Sequence, residues 1–271
     1  FRRVLFRSPI PFWKVYKLTV SGFALNYATP VGLMGGEPYR IMELTPYVGA
    51  SKATSSVILY VMMHIFSHFC FWFFSIFLYL ALRPVDIAMG TILAVVGAVS
   101  LLAIYFFMKG YKNGMAVRTL KLLQHIPFVK EWAKRFSENK REALERVDSQ
   151  IAELHKQRRS TFYASLSLEF MARIIGCLEV YFILNILTTD VSFPACILIM
   201  AFTSLFANLF FFSPMQLGAR EGGFALAVGG LAIPGAFGVY TGLITRVREL
   251  IWIVIGVLLM KVGNGTPANK A

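Results

Sequence analysis

Two stretches of the sequence gather arginine, glutamate, glycine and proline among long apolar runs. The first is "NYATPVGLMGGEPYR", residues 26 to 40, which carries Pro30, Gly36, Glu37 and Arg40. The second is "SPMQLGAREGG", residues 213 to 223, which carries Pro214, Gly218, Arg220 and Glu221. These residue types suit anion recognition. A guanidinium is a planar, permanently charged fork that matches a phosphate or carboxylate. Proline and glycine interrupt a helix, and the N-terminus of the helix that restarts offers N–H groups and a partial positive charge. The glutamates can hold the arginines in place or carry a proton. A second reading uses the same residues: the charges pair with each other at a membrane interface, and the glycines let helices pack closely. Both readings stay open here, although charges inside a membrane are functional by default.

Further charged residues interrupt apolar runs. Glu169 and Arg173 stand one turn apart and can pair. Glu179 follows ten residues on from Glu169 in the same apolar run. With Arg246 and Arg248 these residues are expected to line a polar path, or else to tie helices together. His64 and His68 are four apart on an uncharged run with no further ligand beside them, so packing or a helix–helix hydrogen bond is expected rather than a metal. Cys70, Cys177 and Cys196 have no paired spacing and read as small buried apolar residues. No Ser/His/Asp set, phosphate-binding loop or dinucleotide fingerprint occurs, so no catalytic residue, cofactor or metal is assigned.

The elements that must position these groups follow from composition. The 271 residues are 57% hydrophobic and only 15% charged, with 25 Phe and a mean hydropathy of +0.63. Several apolar runs reach the roughly 20 residues that span hydrocarbon, and no period-2 alternation suggests a β-barrel. The chain therefore reads as an all-α, polytopic transmembrane bundle. Expected spans are 53–82, 87–108, 161–187, 195–212 and 238–262, with a helix over 10–29 running into Pro30. Phe224 to Ile233 is ten residues long, about 15 Å of helix, and cannot cross alone. The two Pro/Gly segments are expected as broken, re-entrant hairpins, because irregular backbone at membrane depth survives only where protein or water satisfies it.

Charge orients the bundle. The net charge is +13, and between Lys109 and Arg159 there are 13 Lys/Arg against 6 Asp/Glu, a local excess of 13 − 6 = +7. A basic segment between spans is the positive-inside signal, so 109–159 is expected in the cytoplasm. Basic residues interleaved with aromatics on one face are absent, which argues against nucleic acid. Within this segment Leu144, Val147, Ile151 and Leu154 mark an amphipathic helix. Residues 1–8, "FRRVLFRS", back-translate by one choice of codons to a common sequencing adapter. They are set aside as an artefact, and 9–271 is expected to be one transmembrane domain lacking its natural N-terminus.

The two motifs, in this order and separated by two spans, a basic loop and two more spans, resemble the lysylphosphatidylglycerol synthase transmembrane family, also called flippase-like integral membrane proteins. The resemblance covers about residues 20–262. It implies two re-entrant hairpins meeting near mid-membrane and a role in moving or handling anionic lipids. By motif match, Pro30, Gly36, Glu37 and Arg40 take the first hairpin's roles, and Pro214, Gly218, Arg220 and Glu221 the second's. In the family's bifunctional members this region translocates a lysyl-lipid made by a fused soluble synthase. No such domain follows Val262 here, so lysine transfer is not implied. The expected function is a flippase-like transporter of an anionic phospholipid or lipid-linked carrier in the bacterial cytoplasmic membrane, with homo-oligomer formation left open. The alternatives are a membrane-embedded enzyme or enzyme accessory acting on lipid-phosphate carriers, and a non-transporting organiser.

Overall fold

Apolar runs become helices here because a hydrocarbon-facing backbone has to satisfy its own hydrogen bonds. A computed structural model describes residues 10–28, 35–113, 149, 159–188, 191–210 and 216–261, and every regular element among them is helical. In chain order these are α1 (Phe12–Ala28), α2 (Gly36–Val48), α3 (Ala50–Leu82), α4 (Ile87–Asn113), α5 (Arg159–Leu187), α6 (Phe193–Leu209), α7 (Ala219–Gly229) and α8 (Gly235–Lys261). Among the described residues, three stretches are long and apolar enough to cross a membrane: Ala50–Leu82, Ile87–Lys109 and Phe162–Leu187. The expected all-α bundle is the observed class. Pro30, Pro214 and the apolar stripe from Leu144 to Leu154 lie outside the described residues.

Local chemistry sets the helix ends. Asp86 in the "RPVD" turn caps α4, its Oδ1 accepting Met89 N–H at 2.8 Å. The loop before α6 is stapled by Asn185, which donates to Val191 O at 3.0 Å and accepts Val191 N–H at 3.3 Å. Ser192 then caps α6 by accepting Ala195 N–H at 3.4 Å.

Two antiparallel helical hairpins carry the motifs. At one end of the α1–α2 hairpin, Lys14 donates to Tyr47 Oη at 2.5 Å and lies 3.8 Å from Glu43. At the other end Asn26 meets Gly36 and Glu37. In the α7–α8 hairpin, Ala225 packs near Gly235 at the turn, and Glu221 packs against Gly242 further along. The hairpins join through α1 and α8. Ser21 Oγ donates to Gly256 O at 3.1 Å, and a Cβ at Gly256 would stand only 2.7 Å from Val20 O. That glycine lets two backbones touch, the close approach that membrane helices use in place of a hydrophobic driving force.

The remaining helices buttress the hairpins. α3 packs on α2, α4, α5 and α6, while α6 packs on α5 and α7. Leu59, Met63 and Phe66 of α3 meet Phe107 of α4 and Phe162 of α5 in one apolar cluster. Val180 and Leu184 of α5 join Cys196 and Ile199 of α6 and Phe224 and Val228 of α7 in another.

Candidate functional site

The first motif is built around α1. Gly36 and Gly22 face each other so closely that a Cβ on Gly36 would overlap the Gly22 carbonyl. On the opposing helix, a Cβ on Gly22 would occupy the space of the Arg40 guanidinium. The two glycines thus bring α1 and α2 together and leave a slot for the arginine. Arg40, 8% exposed, donates to Thr19 O at 3.3 Å and Leu18 O at 3.5 Å. Its guanidinium lies 3.5 Å from Glu37 and 5.0 Å from the Tyr60 ring centroid. A buried cation needs such partners, because desolvation otherwise outweighs its gains.

Arg40 borders a cavity of about 240 Å³ between α1, α2, α3 and α5. Leu18, Leu44, Val57 and Met63 make its walls largely apolar, and Arg40 and Glu169 are the charged residues that line it. Such a space suits a ligand that is part hydrocarbon and part anion.

The second motif forms an ion-pair network across α7 and α8. Gly218 precedes α7 with φ +78°, a left-handed conformation that glycine adopts without a Cβ clash. Its N–H is accepted by Glu221 Oε2 at 2.9 Å. Glu221 Oε1 accepts from Arg246 Nε at 3.0 Å. Arg246 also donates to Gln216 O at 3.1 Å. Gln216 itself has φ +52°, a strained position for a residue with a side chain. Arg220 pairs with Glu249, which also receives Arg246 at 3.5 Å. Arg248 pairs with Glu179 of α5.

The helix N-termini differ from expectation in what occupies them. Glu221 caps α7 with its own carboxylate, and Asn26 Oδ1 accepts Gly36 N–H at 2.6 Å at the start of α2. These donors serve side chains of the chain itself, and the arginines carry the positive charge of each segment. The two motifs are bridged by neighbouring residues of α1. Asn26 donates to Glu37 Oε1 at 3.0 Å, while Tyr27 lies within electrostatic reach of Arg220, Arg246, Arg248 and Glu249.

The expected polar path divides in two. Glu179 belongs with Arg248 at the α7–α8 network. Glu169 and Arg173, expected to pair along α5, turn instead to α3. Glu169 meets His64 at 3.4 Å. Arg173 donates to Ser67 Oγ at 2.7 Å and His64 O at 2.9 Å and lies 3.2 Å from His68 Nδ1. An i,i+4 pair is worth only about 0.2–0.5 kcal/mol, so three partners on a facing helix outcompete it. The expected helix–helix role of His64 and His68 is observed.

Sequence reading missed Gly22, Asn26, Tyr60, Gln216 and Glu249. Glu249 was findable: a carboxylate in an apolar run, three residues after Arg246, meets the same rule that singled out the arginines. Asn26 and Gly22 give no such signal, since their roles exist only where α2 returns along α1.

Neither the curated proteins nor the solved structures give a match to this chain. The family model described as "Lysylphosphatidylglycerol synthase TM region" matches residues 2–256. An apolar helical bundle and that coverage agree: the chain is an integral membrane protein and belongs to the lysylphosphatidylglycerol synthase transmembrane family, whose members are concerned with lipid modification or flipping.

Proposed function

We propose that the protein is a flippase-like transporter that binds the acidic head group of a phospholipid or lipid-linked carrier and carries it across the bilayer. The observation that supports this reading most is Arg40, a buried guanidinium on the wall of an otherwise largely apolar cavity. A phosphate there exchanges hydration for a charge-assisted fork while its hydrocarbon stays in apolar surroundings. In this reading the α1–α2 and α7–α8 hairpins are re-entrant, and Arg220 and Arg246 form the second positive surface. Glu37, Glu221 and Glu249 balance the arginines between transport events, which keeps the buried charge tolerable in a low dielectric. The basic segment 109–159 lies on the cytoplasmic side. With no ATP-binding motif in the sequence, transport runs downhill or on an ion gradient.

Leaflet exchange in liposomes tests this. Labelled phosphatidylglycerol is followed with wild-type protein, Arg40→Gln, Arg220→Ala and Glu37→Gln. Exchange by the wild type that falls at least tenfold in both arginine variants supports the reading. Exchange indifferent to all three changes removes the site. An organiser that retains lipid without moving it gives binding without exchange.

A further inference from the structure

The head-group site makes no use of the His64 cluster, yet the two adjoin. His64 Nδ1 stands 3.4 Å from Glu169 Oε2 and 3.5 Å from Arg173 Nη2. The carboxylate only accepts hydrogen bonds and the guanidinium only donates them. A ring nitrogen with a proton serves Glu169, and one without serves Arg173. One nitrogen cannot serve both at once: the neutral ring serves either partner through its two tautomers, while the imidazolium, with a proton on both nitrogens, serves Glu169 alone. Arg173 is held independently by Ser67 Oγ, His64 O and His68 Nδ1. His68 accepts from a permanent donor, so it stays neutral while that contact lasts. Half of the His64 side chain, 49%, is exposed on α3.

Charge balance gives the cluster a task. Arg40 and Glu169 line the cavity, and Glu37 and Arg173 are the charges beside them. With His64 neutral, two arginines offset two glutamates and the sum is zero. A phosphodiester adds one negative charge in a region of low dielectric, where an uncompensated charge is costly. One proton restores the balance. Among the other elements packed here, α4 brings Ile104, Phe107 and Met108 to α3, and α1 lines the cavity with Val15, Leu18 and Thr19 and carries the buried Lys17 next to them. Lys109 at the end of α4 is turned to Tyr105. Tyr60 links the sites, its ring 5.0 Å from the Arg40 guanidinium and 6.2 Å from the His64 ring.

Resting on the reading that an acidic head group sits at Arg40, we propose that His64 takes up one proton from the medium when that head group binds, making the cavity a proton-coupled anion site. The proton adds to the imidazole, which then pairs with ionised Glu169. No covalent bond changes beyond that N–H. Linkage is reciprocal: a bound anion favours protonated His64, and protonated His64 favours the anion. Affinity is therefore higher at low pH than at high pH.

The test uses the full chain in detergent and labelled phosphatidylglycerol, whose phosphodiester does not titrate over this range. Wild-type affinity should tighten about tenfold from pH 8 to pH 6. Calorimetry at pH 7 in two buffers of different ionisation heat should show net proton uptake on binding. His64→Gln should bind at every pH with the affinity that the wild type has at pH 8, and without proton uptake. A pH slope that persists in His64→Gln overturns the proposal. Binding that is weakened by Arg40→Gln but shows neither slope nor uptake in the wild type overturns it too, and leaves the head-group reading standing. If Arg40→Gln binds like the wild type, the head group is not at Arg40 and both readings fall. Should His64→Gln not fold, wild-type calorimetry decides alone.

Discussion

Arg220 on α7 and Glu249 on α8 form an ion pair at a carboxylate that is only 3% exposed. The same carboxylate takes Arg246 at 3.5 Å, and Arg246 in turn holds Glu221, the residue that caps α7. One glutamate thus anchors the first turn of α7 to the middle of α8 through two arginines. Removing it should leave both with a weakened set of partners. Glu249→Ala is expected to destabilise the protein by about 3–5 kcal/mol, the usual cost of breaking a buried pair from one side. Replacing Arg220 and Glu249 together by methionine should cost clearly less, because no unpaired charge remains. Thermal unfolding in detergent measures both, and equal losses would remove the claim that the pair is electrostatic.

Gly36 should tolerate no side chain. A Cβ there meets the Gly22 carbonyl, which is backbone and cannot rotate away. Gly36→Ala is expected to destabilise by about 1–3 kcal/mol through overpacking and to slow lipid exchange by prising α2 off α1. Gly176 on α5 is the control, since a methyl group added there would meet nothing within 4 Å. Gly176→Ala should be neutral or stabilising by up to about 1 kcal/mol, because alanine is the better helix former. Thermal unfolding and leaflet exchange, run side by side on the two variants, check this contrast.

The α7–α8 turn holds Ala232 at φ +62°. A left-handed alanine costs about 1 kcal/mol that glycine avoids. Ala232→Gly should therefore raise the unfolding temperature without changing lipid binding. A lowered temperature would mean that the methyl group contributes packing that outweighs its strain.

Arg40→Lys keeps the charge but loses the planar fork that reaches both the Leu18 and Thr19 carbonyls. If Arg40 recognises phosphate by geometry, exchange of phosphatidylglycerol should fall about tenfold in this variant. Full activity would show that a point charge suffices.

The positions of α3 and α5 were readable in advance because each depends on a local property. The expected span 53–82 is α3 with three residues added at its start, and 161–187 is α5 with two added. The α7 fragment was recognised as too short to cross, since its length and the following Pro234 are both written locally. Arg40, Glu37, Arg220 and Glu221 were recognised as a set because charge is rare in apolar surroundings, whatever the fold. The Glu169–Arg173 pair was misread for the opposite reason: helical spacing shows which residues share a face, but not that Ser67 and two histidines stand across from it.

The amino-acid sequence by itself determined an apolar helical bundle in a membrane, two interrupted segments rich in Gly, Arg and Glu, and their family. Those follow from hydropathy and chain-local breakers, which act wherever the chain is. Only the tertiary structure decided that α1 of one hairpin packs on α8 of the other, that Glu249 serves three arginines, and that Arg40 and Glu169 share one cavity. Such pairings depend on backbones brought into contact at Gly22, Gly36 and Gly256, where a hydrogen on the α-carbon allows an approach that any larger side chain would block.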